Sequence, residues 1–349
     1  MAFRSWSILM VVAAGFFAFA CSTKPIKETE VKEKESGYSS VFPDKPTSEA
    51  LARISESVLT INCIGSYRIY PFGDSEQVLR EDLNDESLRT KLSSSFFSDN
   101  SVRGTATVIS NVGGKIAFLT CAHVVDFPDT VYAYHVGPDG RTTKYLRSVA
   151  IKMKQFNFIS PFPEDGSVNV LYVDTEKDIA LLGKSLETEL ARGIPPVRCR
   201  LGNALDLNWG SFVYVFSYPA GVKMLTDGIV SNPHKDAEGS FYIDAAVSQG
   251  SSGGIVLAIR DEIPHFEIVG IVRIMPARFS YYLAPSDSAA AEYEKYWPYE
   301  GDVFVRKRTD LEVGVTKCAS ADAVRRSLRS DQDKLAAEGY DLTEFLKQK

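Results

Sequence analysis

Asp244-Ala245-Ala246-Val247-Ser248-Gln249-Gly250-Ser251-Ser252-Gly253-Gly254 is the stretch on which the fold turns. A short apolar run passes into two adjacent hydroxyls enclosed by three glycines. Glycine enters positive φ without a Cβ penalty, so such a stretch can turn tightly and aim successive backbone amides at one point. By itself it would be an ordinary turn. Two segments upstream change its meaning. Leu119-Thr120-Cys121-Ala122-His123-Val124-Val125 sets a histidine at the end of an apolar strand. Asp174-Thr175-Glu176-Lys177-Asp178-Ile179-Ala180-Leu181-Leu182 sets a carboxylate directly before a buried apolar run, where it is partly desolvated. The other histidines, His135, His234 and His265, lie in polar or proline-containing surroundings.

Outward from these segments, short β-branched and aromatic runs recur between Gly, Asp, Asn and Pro. Examples are Ser57–Ile61, Ala106–Ile109, Lys115–Leu119, Phe212–Phe216, Phe241–Ile243 and Glu267–Val272. Many short strands with close turn signals predict an all-β barrel or sandwich. The polar segments Pro71–Asn100 and Phe127–Asp174 lack this texture and read as loops or insertions. After Pro285 the pattern becomes helical. Ser288 suits the N-cap of a helix over Ala289–Trp297. Ser320 suits that of a second helix with Val324, Leu328 and Leu335 on one face, closed near Gly339.

Acyl transfer at neutral pH needs a hydroxyl nucleophile, a base for its proton, a carboxylate to orient that base, and donors for the oxyanion. Ser252, His123 and Asp178 fill the first three roles, and the N–H groups of Gly250 and Ser252 fill the last. Their order His, Asp, Ser within one β-rich region resembles the chymotrypsin-like serine proteases, most closely the bacterial HtrA/Deg type. Gly104-Thr105-Ala106-Thr107-Val108-Ile109-Ser110, Asp178–Leu182, Phe216-Ser217-Tyr218-Pro219-Ala220-Gly221, Gly228–Ser231, Asp244–Gly254, Val269–Val272 and Leu283-Ala284-Pro285-Ser286 carry the resemblance. It implies two six-stranded antiparallel β-barrels with the site between them, a peptidase domain over 54–286 and a short helical C-terminal extension over 287–349. That extension is too short and too helical to be the PDZ domain of many relatives. The resemblance also puts the floor of the primary substrate pocket at Ala246 and Val247, with Tyr281 where relatives carry a small Gly. Cleavage after small or medium aliphatic residues is then expected, because no carboxylate is present to pair an incoming Lys or Arg. One departure is Ser251, where secreted trypsins have Asp and the HtrA group usually Asn. A hydroxyl cannot pair with a freshly cut N-terminus, so trypsin-type zymogen activation is not expected.

Composition limits the alternatives. The 349 residues are 44% hydrophobic and 24% charged, with a net charge of −6 and no long basic run, which argues against nucleic acid as a main partner. Ile8–Ala20 is an apolar run of 13 residues, suited to a signal-peptide core and too short to span a bilayer. It ends in Ala18-Phe19-Ala20-Cys21, which reads in two ways. Ala-x-Ala suits a signal peptidase that releases a soluble protein. A small residue directly before Cys resembles a lipobox, in which Cys21 is lipidated and becomes the mature N-terminus. The charged, proline-containing tail over 22–53 reads as a disordered linker and tether, favouring a lipid-anchored exported protein. Neither Ser22 nor Thr23 is the Asp that retains many such proteins at the inner membrane, so periplasm or cell surface at the outer membrane is the expected place. Cys63, Cys121, Cys199 and Cys318 could pair in three ways or stand as buried hydrophobes. No Cys-x-x-Cys or Cys/His cluster points to a metal, and no cofactor is expected. The function expected is a serine endopeptidase acting on proteins or peptides. The alternative is a weak or inactive protease-like lipoprotein that binds peptides.

Overall fold

The computed structural model describes residues 37–347, apart from 44–45, 138–140, 163–164, 235, 262–264, 275–276, 286–298, 300 and 312–313. Cys21, most of the tether and the helix expected over 289–297 lie outside the described residues. The first seven strands are β1 (Val58–Pro71), β2 (Phe96–Val112), β3 (Lys115–Thr120), β4 (Thr130–Val136), β5 (Thr142–Ser160), β6 (Asn169–Asp174) and β7 (Ile179–Ser185). They form one curled sheet in the order β4-β5-β1-β2-β3-β7-β6. Next come β8 (Arg200–Leu201), β9 (Phe212–Ser217), β10 (Met224–Asn232), β11 (Phe241–Ile243), β12 (Ile255–Ile259) and β13 (Phe266–Ile274). They are followed by β14 (Ala277–Ala284), β15 (Phe304–Leu311) and β16 (Thr316–Ser320). The second sheet runs β12-β9-β10-β11-β16-β13, and β12 also pairs with β13, so these six strands close into a barrel. The protein is mostly β, a closed six-stranded barrel and a curled half-barrel sheet, consistent with the chymotrypsin-like double-barrel fold.

Apolar side chains drive both halves. β3 and β7, between β2 and the edge strand β6 of the first sheet, are buried almost throughout, and Phe118, Leu119, Ile179, Leu181 and Leu182 have no exposed surface. Burying side chains of this size stabilises the fold by about 1.5–3 kcal/mol each. The second barrel encloses Val213, Val215, Phe241, Ile243, Val256 and Val269. Such continuous apolar runs are what strands covered on both faces require.

The segment 22–53, expected to be a disordered linker, holds the helix Ser48–Ser55, whose Leu51 and Ile54 are buried in the core. Three further features depart from the sequence expectations. Residues 127–174 are largely strand rather than loop, because β4, β5 and β6 lie there. The apolar positions Leu146, Val149 and Ile151 of the 19-residue β5 do not alternate strictly, because a register shift falls between Leu146 and Ser148, and Arg147 and Lys152 interrupt them. The insertion over 71–100 has a small core of its own, in which Phe72, Val78, Leu83 and Leu88 meet Tyr70, Leu146 and Val149.

The third correction concerns the C-terminus. Residues 287–349 are not only a helical extension, because β16 lies between β11 and β13 and closes the barrel. Leu283–Ala284, one of the stretches that carry the resemblance, belong to β14, which pairs with β15 in a separate two-stranded sheet. Beyond β16 the helix Ala321–Ser330 begins where expected, with Ser320 Oγ accepting from the Ala323 amide at 3.1 Å. Val324, Leu328 and Leu335 are buried, and Gly339 sits at φ +92.

Candidate active site

Each of the three residues singled out occupies an element end. Strand β3 ends at Thr120, and the short helix Ala122–Val125 places His123 at the mouth of the first sheet. Asp178 immediately precedes β7 at φ +60, the left-handed region that Asp tolerates better than most residues. Ser252 lies in the turn before β12. The structure brings these side chains into one hydrogen-bonded chain. His123 Nδ1 is 2.9 and 2.8 Å from the two Asp178 oxygens, and His123 Nε2 is 2.9 Å from Ser252 Oγ. The His123 backbone amide also donates to Asp178 Oδ1 at 2.9 Å, so the carboxylate holds both ring and main chain. An ionised carboxylate only accepts, which puts the imidazole proton on Nδ1 and leaves Nε2 to accept from the Ser252 hydroxyl. The Asp178 side chain is 6% exposed and that of His123 42%. The carboxylate is therefore desolvated while the base faces the opening.

The turn that carries Ser252 is fixed from three sides. The Gln249 carbonyl accepts from the Ala220 amide at 3.0 Å. In a planar trans peptide the N–H points opposite to the carbonyl, so the Gly250 amide is aimed away from that loop. Gly250 has φ +102, and a Cβ there would stand 2.4 Å from the Tyr218 carbonyl, so only glycine fits. Thr105 of β2 bridges the halves: its Oγ1 accepts from the Tyr218 amide and donates to the Gly250 carbonyl, both at 2.9 Å. Its own amide donates to the Ser252 carbonyl at 2.7 Å. Ser251, 1% exposed, accepts through Oγ from Ser217 Oγ at 3.2 Å and from the Ser248 amide at 3.3 Å. A pair of buried hydroxyls thus braces the turn. Among the described residues, the amides of Gly250 and Ser252 have no acceptor. They remain available to a developing oxyanion.

Sequence reasoning missed Thr105, Ser217 and Ala220. Their signal lay within stretches already noted, but hydrogen bonding between distant segments leaves no spacing to read. Cys121 also lies at the site, within 4.8 Å of donor atoms of His123 and Asp178. Its thiol is fully buried and donates to the Val272 carbonyl at 3.1 Å, and burial holds its pKa well above the usual thiol range. A neutral, occupied thiol makes a poor metal ligand. Cys63, Cys121, Cys199 and Cys318 are all free, and only Cys199 is partly exposed.

The pocket residues fare differently. Val247 is 4% exposed and packs in the core of the second barrel. Tyr281 is 69% exposed on β14, outside both large sheets, so it does not shorten a pocket in the barrel. Ala246 is exposed to solvent. The expected preference for small aliphatic residues loses its basis, because the ribbon β14–β15 takes the chain away from the position in which Tyr281 would line a pocket.

Two β-sheets that meet at a hydrogen-bonded Asp, His and Ser define the chymotrypsin-like peptidase class. Residues 104–271 match the family model of the trypsin-like peptidase domain. Among solved structures, the chain is similar to the HtrA-type protease AlgW with tripeptide, at 16% identity and a TM-score of 0.42, over 85% of this chain and 65% of that one. It is also similar to Deg5, at 17% identity and a TM-score of 0.35, over 66% of this chain and 87% of that one. The chain thus spans 65% of the length of AlgW. No curated protein matches the sequence.

Proposed function

We propose that this protein is an exported serine endopeptidase that cleaves proteins or peptides in the bacterial cell envelope and is tethered there through Cys21. The observation that carries the catalytic part is the unbroken series Asp178–His123–Ser252, with every link at 2.8–2.9 Å. In this reading His123 Nε2 takes the Ser252 proton as Oγ attacks the scissile carbonyl, forming a tetrahedral intermediate. The Gly250 and Ser252 amides bind its oxyanion. Asp178 keeps the ring in the tautomer that accepts at Nε2 and stabilises the imidazolium. His123 then gives the proton to the leaving amine, and water repeats the sequence to release the acyl group from Ser252. The tether rests on Ala18-Phe19-Ala20-Cys21 and the charged tail after it.

Turnover of casein or of a quenched peptide library tests the catalytic part. The wild type should cleave, and Ser252→Ala should lose on the order of a millionfold in kcat. Cleavage surviving in Ser252→Ala would remove the assignment. A wild type that binds peptides without cutting them would support the binding lipoprotein instead. Intact mass of native material tests the tether: acyl chains on Cys21 are expected, and an unmodified Cys21 in the mature protein would contradict it.

A further inference from the structure

Arg273, near the end of β13, is a charged side chain that the proton relay leaves unexplained. Its Nε lies 3.4 Å from Asp178 Oδ2, on the carboxylate that His123 also uses. That Nε is buried and makes no hydrogen bond, so the contact is an ion pair without a shared proton. Nη2 of the same guanidinium donates to the Glu176 carbonyl at 2.7 Å. One planar cation therefore grips both sides of Lys177, in a loop that must hold Asp178 at φ +60. It reaches across from the second barrel to the first sheet to do so.

The groups around the Asp178 carboxylate can be named. The His123 ring and backbone amide face it from the helix Ala122–Val125, and the Cys121 thiol from the residue before that helix. Lys177, next in sequence, is turned to Asp174 at 3.1 Å. Among these groups Arg273 is the one fixed positive charge on the carboxylate. A cation there fixes the carboxylate's orientation and draws on the same negative charge that stabilises the imidazolium.

We propose that Arg273 is a positioning residue of this site: it holds the Asp178 carboxylate in place against the imidazole. The inference rests on the proposed triad. Without the cation the carboxylate acts on His123 alone, and its orientation loosens. The step affected is proton removal from Ser252 rather than substrate capture.

Full-length Arg273→Met, Arg273→Gln and Arg273→Lys test it with two readouts. The low-field proton resonance of the His123 Nδ1–H, which needs no turnover, should move in the Met and Gln variants and stay near the wild-type position in Lys. On a peptide substrate, Met and Gln should lower kcat roughly tenfold with KM within about twofold. They should also move the acid limb of the kcat/KM pH profile. Lys should recover most of both. Met and Gln matching the wild type in resonance and profile would overturn the inference. So would equal losses in Met and Lys with an unmoved resonance, the mark of a mere brace between the sheets. A wild type that shows the resonance and cleaves nothing would count against the protease reading, while the resonance in the variants still decides the role of Arg273.

Discussion

Strands β3 and β7 of the curled first sheet present two titratable side chains to the site, His123 and Asp178. The closed second barrel contributes differently: one hydroxyl, two backbone amides and a guanidinium set by a turn and a strand end. The difference follows from how each sheet is built. The first is an open sheet, so it accepts a small satellite core over 71–100 and a 19-residue β5 without disturbing β3 or β7. The second depends on closure, and its sixth strand comes from beyond residue 315. Side-chain chemistry tolerates an irregular frame as long as its own strand is buried. Backbone chemistry needs the whole ring of strands, because an amide direction is set by every neighbour of its peptide plane.

The largest effect should come from breaking closure. A chain ending at residue 311 lacks β16 and its helices, which bury Cys318, Val324 and Leu328. It should lose cooperative unfolding of the second half, checked by thermal denaturation and hydrogen exchange. A chain of 54–286 that folds on its own would show instead that the barrel closes without β16.

Next come the two side chains of the first sheet. His123→Ala should reduce turnover on the order of a millionfold, because the members of a triad act as a unit. Asp178→Asn should reduce it about ten-thousandfold through the wrong imidazole tautomer. Both variants should keep the wild-type melting temperature within a few degrees if the first sheet carries these residues as side-chain chemistry alone.

The backbone contribution gives a smaller effect. Gly250→Ala places a Cβ against the Tyr218 carbonyl and turns one oxyanion amide away. A loss of roughly 10²–10³ in kcat is expected, the magnitude found when one such donor is removed. Titrating competent sites with a burst substrate checks whether the loss lies in kcat or in the fraction of active molecules.

Thr105 joins the two halves, and the smallest effect is expected there. Thr105→Val keeps the shape but leaves the Tyr218 amide and the Gly250 carbonyl without their bridge. Each buried group so stranded costs about 1–3 kcal/mol. A stability loss of that order with about tenfold lower kcat is expected, and Thr105→Ser should restore most of both. Unchanged kcat in Thr105→Val would show that the turn before β12 is rigid without help from the first sheet.

The same division explains what could be read from the chain. His123, Asp178 and Ser252 were legible because each sits beside a short apolar run whose strand end fixes it, and the helix capped by Ser320 was legible because capping is local. Thr105, Ser217 and Arg273 were not, since their partners lie far away in sequence and only the fold brings them together. β16 was obscured because Thr316-Lys317-Cys318-Ala319-Ser320 has little β-branched character, yet pairing on both edges makes it a strand. Tyr281 was misplaced because alignment by texture cannot see that the chain leaves the barrel after β13.

The most direct test of the central claim is stoichiometric labelling of the full chain by a fluorophosphonate, followed by intact mass and peptide mapping. One adduct per chain on Ser252 is predicted, absent in Ser252→Ala and strongly slowed in His123→Ala. A wild type left unlabelled, or labelling undiminished in Ser252→Ala, would contradict a catalytic Ser252 activated by His123.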